Sequence, residues 1–208
     1  MTTRAEQRDQ TRAAILQAAI EALSEGGSKN AGLIGIGRRA GVTHSTVLYH
    51  FGSAHELQRA VLNERDNIFF REVVGEQWTE GPLAALLNFR ANAQFSVDHP
   101  ELAKLFVILE AEHCDRNQPL HDFFSDRRRA VHDLLVAMMR GAIEAGEIRA
   151  DFDLDAKADE LIAFQMGAQI MWAADPDRID LIAMFERYAD DLRAELVPAR
   201  RARRRPPA

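Results

Sequence analysis

A short stretch near the N-terminus holds a dense set of hydrogen-bonding side chains. They are Thr43, His44, Ser45, Thr46, Tyr49 and His50. Hydroxyl and imidazole groups can bond to base edges or phosphate oxygens, and a threonine methyl can contact the methyl of thymine. The set predicts noncovalent recognition of a nucleic acid. A solvated helix in a protein-interaction domain has a similar composition. The helices and turns that position these side chains are therefore needed to decide between nucleic-acid binding and protein interaction.

The residues around this stretch predict a sharp turn between two short helices. Ala40-Gly41-Val42 supplies a glycine that tolerates positive φ, and Thr43 can cap the helix that follows. Val47 and Phe51 fall on the other face of that helix, where they can pack inward. Two short helices that cross steeply, the second with a polar face, form a helix-turn-helix unit that can enter a major groove.

The segments on either side complete a small helical unit. An amphipathic helix is predicted from about Arg8, ended by Gly26-Gly27. Thr11 and Arg12 then lie near a helix start, where free backbone N–H groups can bind phosphate.

Two more helices follow. A short one is predicted over residues 30–39 although it contains Gly32, Gly35 and Gly37, each of which costs about 1 kcal/mol relative to alanine inside a helix. Another starts at Ser53, whose spacing to Glu56 allows a capping box.

The order of these residues resembles the N-terminal domain of TetR-type repressors. The matching positions are Ala40-Gly41-Val42, Thr46, Val47, Tyr49-His50-Phe51, Ser53 and Leu57, within residues 8–62. The resemblance implies a homodimeric, ligand-responsive repressor that binds a palindromic double-stranded DNA operator and is released by a small apolar effector. Together with the residue pattern it predicts DNA contacts from Thr11, Arg12, Thr43, His44, Ser45, Thr46, Tyr49, His50 and His55.

This chain departs from the family pattern at the phosphate contacts. Family members usually have an aromatic residue where Leu48 stands and a lysine where Ala54 stands, and their helix before the turn is poor in glycine. The groups that could replace those contacts are Arg12, Arg38, Arg39, His55 and the arginines of the C-terminal tail.

The charge distribution supports a nucleic-acid partner for the N-terminal part. The whole chain of 208 residues has a net charge of −6. Residues 1–65 carry 8 Lys and Arg against 6 Asp and Glu, residues 66–197 carry 13 against 26, and residues 198–208 carry 5 Arg and no acid. A body of net −13 between non-acidic ends indicates that any phosphate contact belongs to the N-terminal part.

Other global features point to a reducing compartment and away from membranes. A single cysteine, Cys114, excludes an intramolecular disulfide, and no window approaches the roughly 20 apolar residues of a membrane span. The N-terminus lacks the apolar core of a signal peptide. We therefore expect a cytoplasmic protein.

The rest of the chain shows helical periodicity without strand alternation, which predicts an all-α fold. Helices are expected from Pro82 to Val97, from Pro100 to His113, from Pro119 to Ala145, from Leu154 to Ala174, and from Asp175-Pro176 to Val197. We divide the chain into a three-helix DNA-binding domain (1–66), a larger helical effector-binding and dimerisation domain (67–197) and an Arg-rich disordered tail (198–208).

The last two helices are apolar on more than one face, which predicts a dimer surface. The expected interface residues are Phe164, Gly167, Ala168, Met171, Phe185 and Leu192. Gly167 and Ala168 would permit close approach of two helices. The alternative is that these faces complete the core of one monomer.

Polar, methionine and aromatic side chains occur among aliphatic ones in the middle helices, and this mixture predicts an effector pocket between them. The candidates are Asn92, Phe106, His113, Met138, Phe164, Gln165, Gln169 and Trp172. Ordinary core packing is the alternative for each of them.

The sequence gives no sign of an enzyme or of a metal site. It has no nucleophile elbow and no phosphate-binding glycine loop. The run Glu110 to Asp115 has metal-ligating residue types without the pair spacing of zinc sites, so we predict no metal and no cofactor. The remaining alternative to a DNA-binding regulator is a helical protein-interaction adaptor.

Overall fold

The computed structural model describes residues 3–74 and 81–198, and these residues form helices without any β-strand. The first range contains α1 (Arg4–Asn30), α2 (Leu33–Arg39), α3 (His44–Phe51), α4 (Ala54–Phe69) and a π-helical turn, Phe70–Val74. The second contains α5 (Pro82–Leu87), α6 (Phe89–Asp98), α7 (Pro100–Glu112), α8 (His121–Glu144), α9 (Leu154–Ala174) and α10 (Leu181–Leu196). The predicted all-α architecture is confirmed.

Helix α1 begins one turn earlier than the apolar periodicity predicted. Thr3 Oγ1 accepts a hydrogen bond from Glu6 N (3.2 Å), and Glu6 Oε2 accepts one from Thr3 N (2.7 Å). This capping box satisfies backbone groups of a first turn that buries no apolar side chain, so the periodicity could not reveal it. The predicted break at Gly26-Gly27 is observed, with Gly27 at a φ of 65°.

The turn between α2 and α3 requires glycine at two positions for different reasons. Gly41 has a φ of 70°, a region that other residues rarely adopt. Gly37 is needed because the backbones approach closely: a Cβ there would lie 2.9 Å from the carbonyl oxygen of Val42. Gly35, by contrast, faces open space. Gly37 therefore lowers the intrinsic helix propensity of α2 but allows α2 to pack against the turn.

Two hydrophobic cores organise the helices. The first joins α1 to α4 with α7 and the start of α8, and includes Ile15, Leu23 and Val47 beside Leu105, Leu109 and Phe124. The second joins α5, α6, α8, α9 and α10 around Met139, Leu161 and Phe185. Because α4 runs to Phe69 and shares the first core with α7, the expected boundary at residue 66 falls inside a continuous helix.

Two predicted helices differ from the observed ones. The segment predicted as one helix from Pro82 is divided at Asn88, whose side chain accepts from Ala91 N (3.3 Å) and caps α6. The restart predicted at Asp175-Pro176 makes only a single turn, in which Ile179 N donates to Asp175 O (3.1 Å). Helix α10 begins after Asp180, whose carboxylate caps it through Ala183 N (2.9 Å).

Two sequence expectations concern the ends and the environment of the chain. Apart from Pro198, the predicted disordered tail lies outside the described residues. Within the described residues, none of the helices has the length and apolar character that a membrane crossing requires.

Candidate DNA-binding surface and effector cavity

Helix α3 presents the predicted groove-facing residues on a firmly anchored scaffold. Val47 and Phe51 are buried, 0% and 8% exposed, and fix α3 against the first core. Thr43 caps the helix, since its Oγ1 accepts from Thr46 N (3.2 Å) and lies 2.9 Å from Thr46 Oγ1. His44 and Ser45 are exposed beside this pair. The arrangement leaves a polar face free for a ligand.

Tyr49 is the most prominent side chain on this face. It is 73% exposed, and its ring meets the ring of His50 edge-on, with 5.3 Å between centroids. An aromatic ring held by one neighbour at the surface can donate its hydroxyl to a phosphate. His55, in the first turn of α4, is also exposed, whereas Leu48 and His50 are half-buried.

Arg12 lies beside α3 for a reason other than the predicted one. Its guanidinium packs over the ring of Phe51, 5.0 Å from the centroid, which holds a cation next to the end of α3. The expectation that Thr11 and Arg12 lie at a helix start is wrong, because α1 begins at Arg4. The hydroxyl of Thr11 donates to Gln7 O (2.8 Å) within the same helix.

The early start of α1 creates a cationic stripe that the sequence pattern alone did not predict. Arg4, Arg8 and Arg12 are spaced by four residues, so they share one face of α1. All three are exposed, and within the described residues none of them forms a salt bridge. The spacing of four residues is present in the sequence, but the predicted helix start at about Arg8 left Arg4 outside the helix.

The two arginines of α2 differ in their availability. Arg39 forms a two-pronged ion pair with Glu25; the hydrogen bond lowers the pKa of the Glu25 carboxyl and raises the pKa of Arg39. Arg38 is exposed and, among the described residues, has no ion-pair partner. Of the two, Arg38 is therefore the free phosphate-binding candidate.

A cavity of about 310 Å³ lies between α4, the π-helical turn, and α5 to α9. Five predicted pocket residues line it: Asn92, Phe106, Met138, Gln165 and Gln169. Most of the other lining side chains are apolar, among them Phe69, Phe89, Leu135 and Leu161. An apolar cavity with a few polar groups is the usual form of a small-molecule site.

Three residues predicted for the pocket lie elsewhere. His113 is buried in contact with Phe124, and its Nδ1 is 2.8 Å from Leu109 O, so it is a satisfied core histidine. Phe164 stacks on Tyr188 with 3.7 Å between ring centroids, away from the cavity wall. Trp172 belongs to the second core. For these three, ordinary packing is the correct interpretation.

One wall of the cavity is charged, which the sequence pattern did not predict. Asp66 bridges two cations: its Oδ1 accepts from Arg65 Nη1 (2.7 Å), and its Oδ2 from Arg127 Nε (3.1 Å). A second pair joins Arg128 Nη1 to Glu110 Oε1 (2.7 Å). The signal was present, because Arg65 continues the spacing of four set by Leu57 and Val61 and so falls on the buried stripe of α4.

Burial and neighbouring charges shape the titration of this wall. Burial lowers the pKa of the Arg65 guanidinium to about 10, and the charge of Arg127 acts in the same direction. Burial acts to raise the pKa of Asp66, but the charges and hydrogen bonds of Arg127 and Arg65 outweigh it and lower that pKa. Arg65 and Asp66 are therefore both charged at neutral pH.

The residues predicted for a dimer surface divide into two groups. Ala168, Phe185 and Leu192 are at most 4% exposed inside the second core, so they offer no surface to a partner. The prediction for these three does not hold. Phe164 is half-buried against Phe185 and Tyr188.

The rest of the predicted dimer set lies on an outer face of α9. Met171 is 48% exposed, as is its neighbour Ile170 at 49%, and a Cβ on Gly167 would meet open space. Ala163 and Ala174 are exposed on the same helix. A face of small and apolar residues remains uncovered there.

The run from Glu110 to Asp115 is used for structural contacts. Glu112 accepts from Ser28 N at 3.1 and 3.2 Å, which ties the end of α7 to the end of α1. Within the described part of the chain, no cluster of three or more His, Cys, Asp or Glu could hold a metal ion.

A helix-turn-helix unit joined to a helical body with an internal cavity defines a class, that of DNA-binding regulators with a ligand site. Two family models match the chain. "Bacterial regulatory proteins, tetR family" matches residues 15–61, and "Tetracyclin repressor-like, C-terminal domain" matches residues 82–188.

Individual relatives agree with these matches. The HTH-type transcriptional regulator TtgR of Pseudomonas putida is 26% identical over 195 residues, covering 89% of this chain and 90% of its own. Two solved structures share the fold at a TM-score of 0.76. The SmeT–triclosan complex, of the Stenotrophomonas maltophilia repressor, is 23% identical and covers 90% of this chain and 92% of its own. Bacillus subtilis FadR in complex with stearoyl-CoA is 17% identical, and the match covers 86% of this chain and 96% of the FadR chain.

The chain belongs to the TetR family of bacterial regulatory proteins. It is a helix-turn-helix transcriptional regulator, as the residues around Gly41 predicted.

Proposed function

We propose that the chain is a homodimeric repressor that leaves a palindromic operator when a small, largely apolar molecule occupies its cavity. The observation that supports this most directly is the double role of α4. Its first half buries Leu57 and Val61 in the core that holds α3, and its second half lines the cavity with Arg65 and Phe69. A molecule that moves the cavity wall also moves the helix that supports α3.

Ligand binding would then act through a difference in affinity between two conformations. A molecule that fits the cavity better when α4 is displaced shifts the population toward that state, and operator affinity falls by the same coupling. SmeT and FadR are fold relatives solved with triclosan and stearoyl-CoA. They support a small-molecule effector here without identifying it.

A dimer is needed because one short helix in one groove binds too weakly to be specific. We place the contact on the outer face of α9, defined by Ala163, Gly167, Ile170, Met171 and Ala174. Small residues there allow two helices to approach closely. The two-fold symmetry of the dimer would match the palindrome.

A mobility-shift assay on DNA from upstream of the chain's own gene tests the proposal. We expect sequence-specific retardation that weakens as salt rises. If no sequence-specific retardation is seen, even after bound small molecules are removed, the proposed repressor function is wrong. The protein-interaction adaptor is then the favoured alternative.

A further inference from the structure

The charged wall of the cavity has more positive than negative groups. The charged residues that line the cavity are Arg65, Asp66, Glu110, Arg127 and Arg128. Three guanidinium groups thus face two carboxylates, and no other charged side chain of the described residues lines the cavity. One positive charge remains unmatched in a largely apolar space, where charge interactions are stronger than in water.

Arg65 is the least satisfied member of this wall. It is only 4% exposed, and its Nη1 is bonded to Asp66. Its Nε is buried and has no hydrogen-bond partner among the described residues. Part of the cation is stabilised by the ring of Phe106, 4.6 Å away, a ring that Arg127 also covers at 4.5 Å. An unpaired buried N–H costs free energy, and the positive charge that Arg65 retains favours an anion nearby.

We propose that the effector is an amphipathic anion, an apolar body with a single carboxylate. This rests on the proposed function, in which the cavity holds the effector. The carboxylate lies against Arg65, Arg127 and Arg128, and the body lies against the apolar wall. Guanidinium groups present parallel N–H donors that match the two oxygens of a carboxylate.

The other classes of ligand fit this wall less well. A neutral apolar molecule would leave the surplus positive charge of the wall unmatched. A cation would be repelled by the same surplus. The cavity volume of about 310 Å³ lies near the lower end of ligand sites, which favours a medium-length chain or two fused rings.

Matched pairs of acid and amide test the head-group preference. The full-length protein, treated with a hydrophobic resin to remove bound amphiphiles, is titrated by calorimetry with decanoate and decanamide, with 2-naphthoate and 2-naphthamide, and with decylammonium. At least one acid should bind about tenfold more tightly than its amide. If no acid binds, or if the amide or the ammonium binds as tightly, the proposal is overturned.

Charge variants separate a ligand contact from a structural role. Arg127→Gln should remove most of the preference for the acid while amide binding persists. Glu110→Gln should increase the preference, because it removes a negative charge from the wall. Arg129→Gln is the matched control on α8. The Arg129 side chain is 70% exposed, pairs with Asp126 and is not among the residues that line the cavity, so the preference should not change. An equal loss for acid and amide in Arg127→Gln would contradict the proposal.

The same preparations keep the two proposals distinguishable. Specific retardation of operator DNA without added acid tests the proposed function alone. If retardation is observed but every acid binds no better than its amide, the repressor stands and the ligand class is wrong. If retardation is absent while the acid preference is present, the ligand class stands and the repressor function is wrong.

Discussion

Tyr49 presents its hydroxyl to solvent at the centre of the proposed groove face. Tyr49→Phe removes only that hydroxyl, so the fold should not change. If the hydroxyl donates to phosphate, operator affinity should fall roughly threefold to tenfold, the effect of one hydrogen bond. Fluorescence anisotropy with labelled operator measures it.

The chain offers a matched control, because its only other tyrosine lies far from α3. Tyr188, on α10 beside the second core, donates to Glu160 Oε1 (3.1 Å). Tyr188→Phe loses a hydroxyl of the same kind and should leave operator affinity unchanged. Equal affinities for wild type and Tyr49→Phe would show that Tyr49 does not contact DNA.

Asp66 joins α4 to α8 through Arg127 and also accepts from Arg65 of its own helix, and its lowered pKa makes this link depend on pH. A carboxyl with a folded-state pKa below its ordinary value of 3.8 stabilises the fold above that value. The stabilisation is lost as pH falls below 3.8 and through the folded-state pKa. Asp66→Asn should therefore lower the free energy of unfolding at pH 7 by about 2 kcal/mol.

The difference between wild type and Asp66→Asn should shrink as the pH is lowered past that range. Urea unfolding at neutral pH and at a series of pH values from about 4 down to about 2 follows this difference through the range in which it should shrink. Asp126→Asn serves as the control, since its exposed pair with Arg129 contributes little. A gap between wild type and Asp66→Asn that persists in acid would contradict the assignment.

At the scale of single helices, α2 contains two glycines with opposite roles. A Cβ at Gly37 would lie 2.9 Å from a backbone oxygen of the turn, so Gly37→Ala should destabilise the protein by roughly 1–3 kcal/mol. A Cβ at Gly35 meets nothing within 4 Å, so Gly35→Ala should stabilise it by up to about 1 kcal/mol. Thermal unfolding of both variants tests the pair. Shifts of the same sign would contradict this packing at the turn.

Helix α1 aligns Arg4, Arg8 and Arg12 on one face, and Arg12 is held beside α3 by Phe51. If this face follows the DNA backbone, Arg8→Gln and Arg12→Gln should weaken binding to all sequences alike. Each should also lower the slope of log affinity against log salt by about one for every phosphate that the variant no longer neutralises. Arg178→Gln is a distant control, since Arg178 pairs with Asp175. An unchanged slope would remove α1 from the interface.

The elements show which parts of the fold and site were predictable from the sequence. The turn at Gly41, the cap at Ser53 and most helix bounds follow from local chemistry, and the structure has them. The starts of α1 and α10 differ from the predictions. Periodicity placed the first near Arg8, whereas Thr3 caps α1 one turn earlier, and an Asp-Pro capping signal placed the second at Asp175, whereas Asp180 caps α10. The charged wall was missed because Arg65, Glu110 and Arg127 are distant in sequence and meet only through the packing of α4, α7 and α8.

At the scale of the whole molecule, the burial of Phe185 and Leu192 changes where a partner can bind. Both residues are buried in the core of one chain and cannot contact a partner. The outer face of α9, which exposes Ile170 and Met171, can. A double variant, Ile170→Glu and Met171→Glu, puts two like charges on each side of the proposed contact. The dimer dissociation constant should rise roughly hundredfold or more.

Sedimentation equilibrium measures the mass, and operator binding reports the consequence. The double variant should sediment as a monomer and lose affinity for the full palindrome, while its weak affinity for a half-site stays the same. Val97→Glu is the control, because Val97 is also partly exposed (38%) but lies on α6. If the double variant remains a dimer, the dimer contact lies on another face of the protein. That face would then have to provide the two-fold symmetry of operator binding, because a monomer cannot span both half-sites.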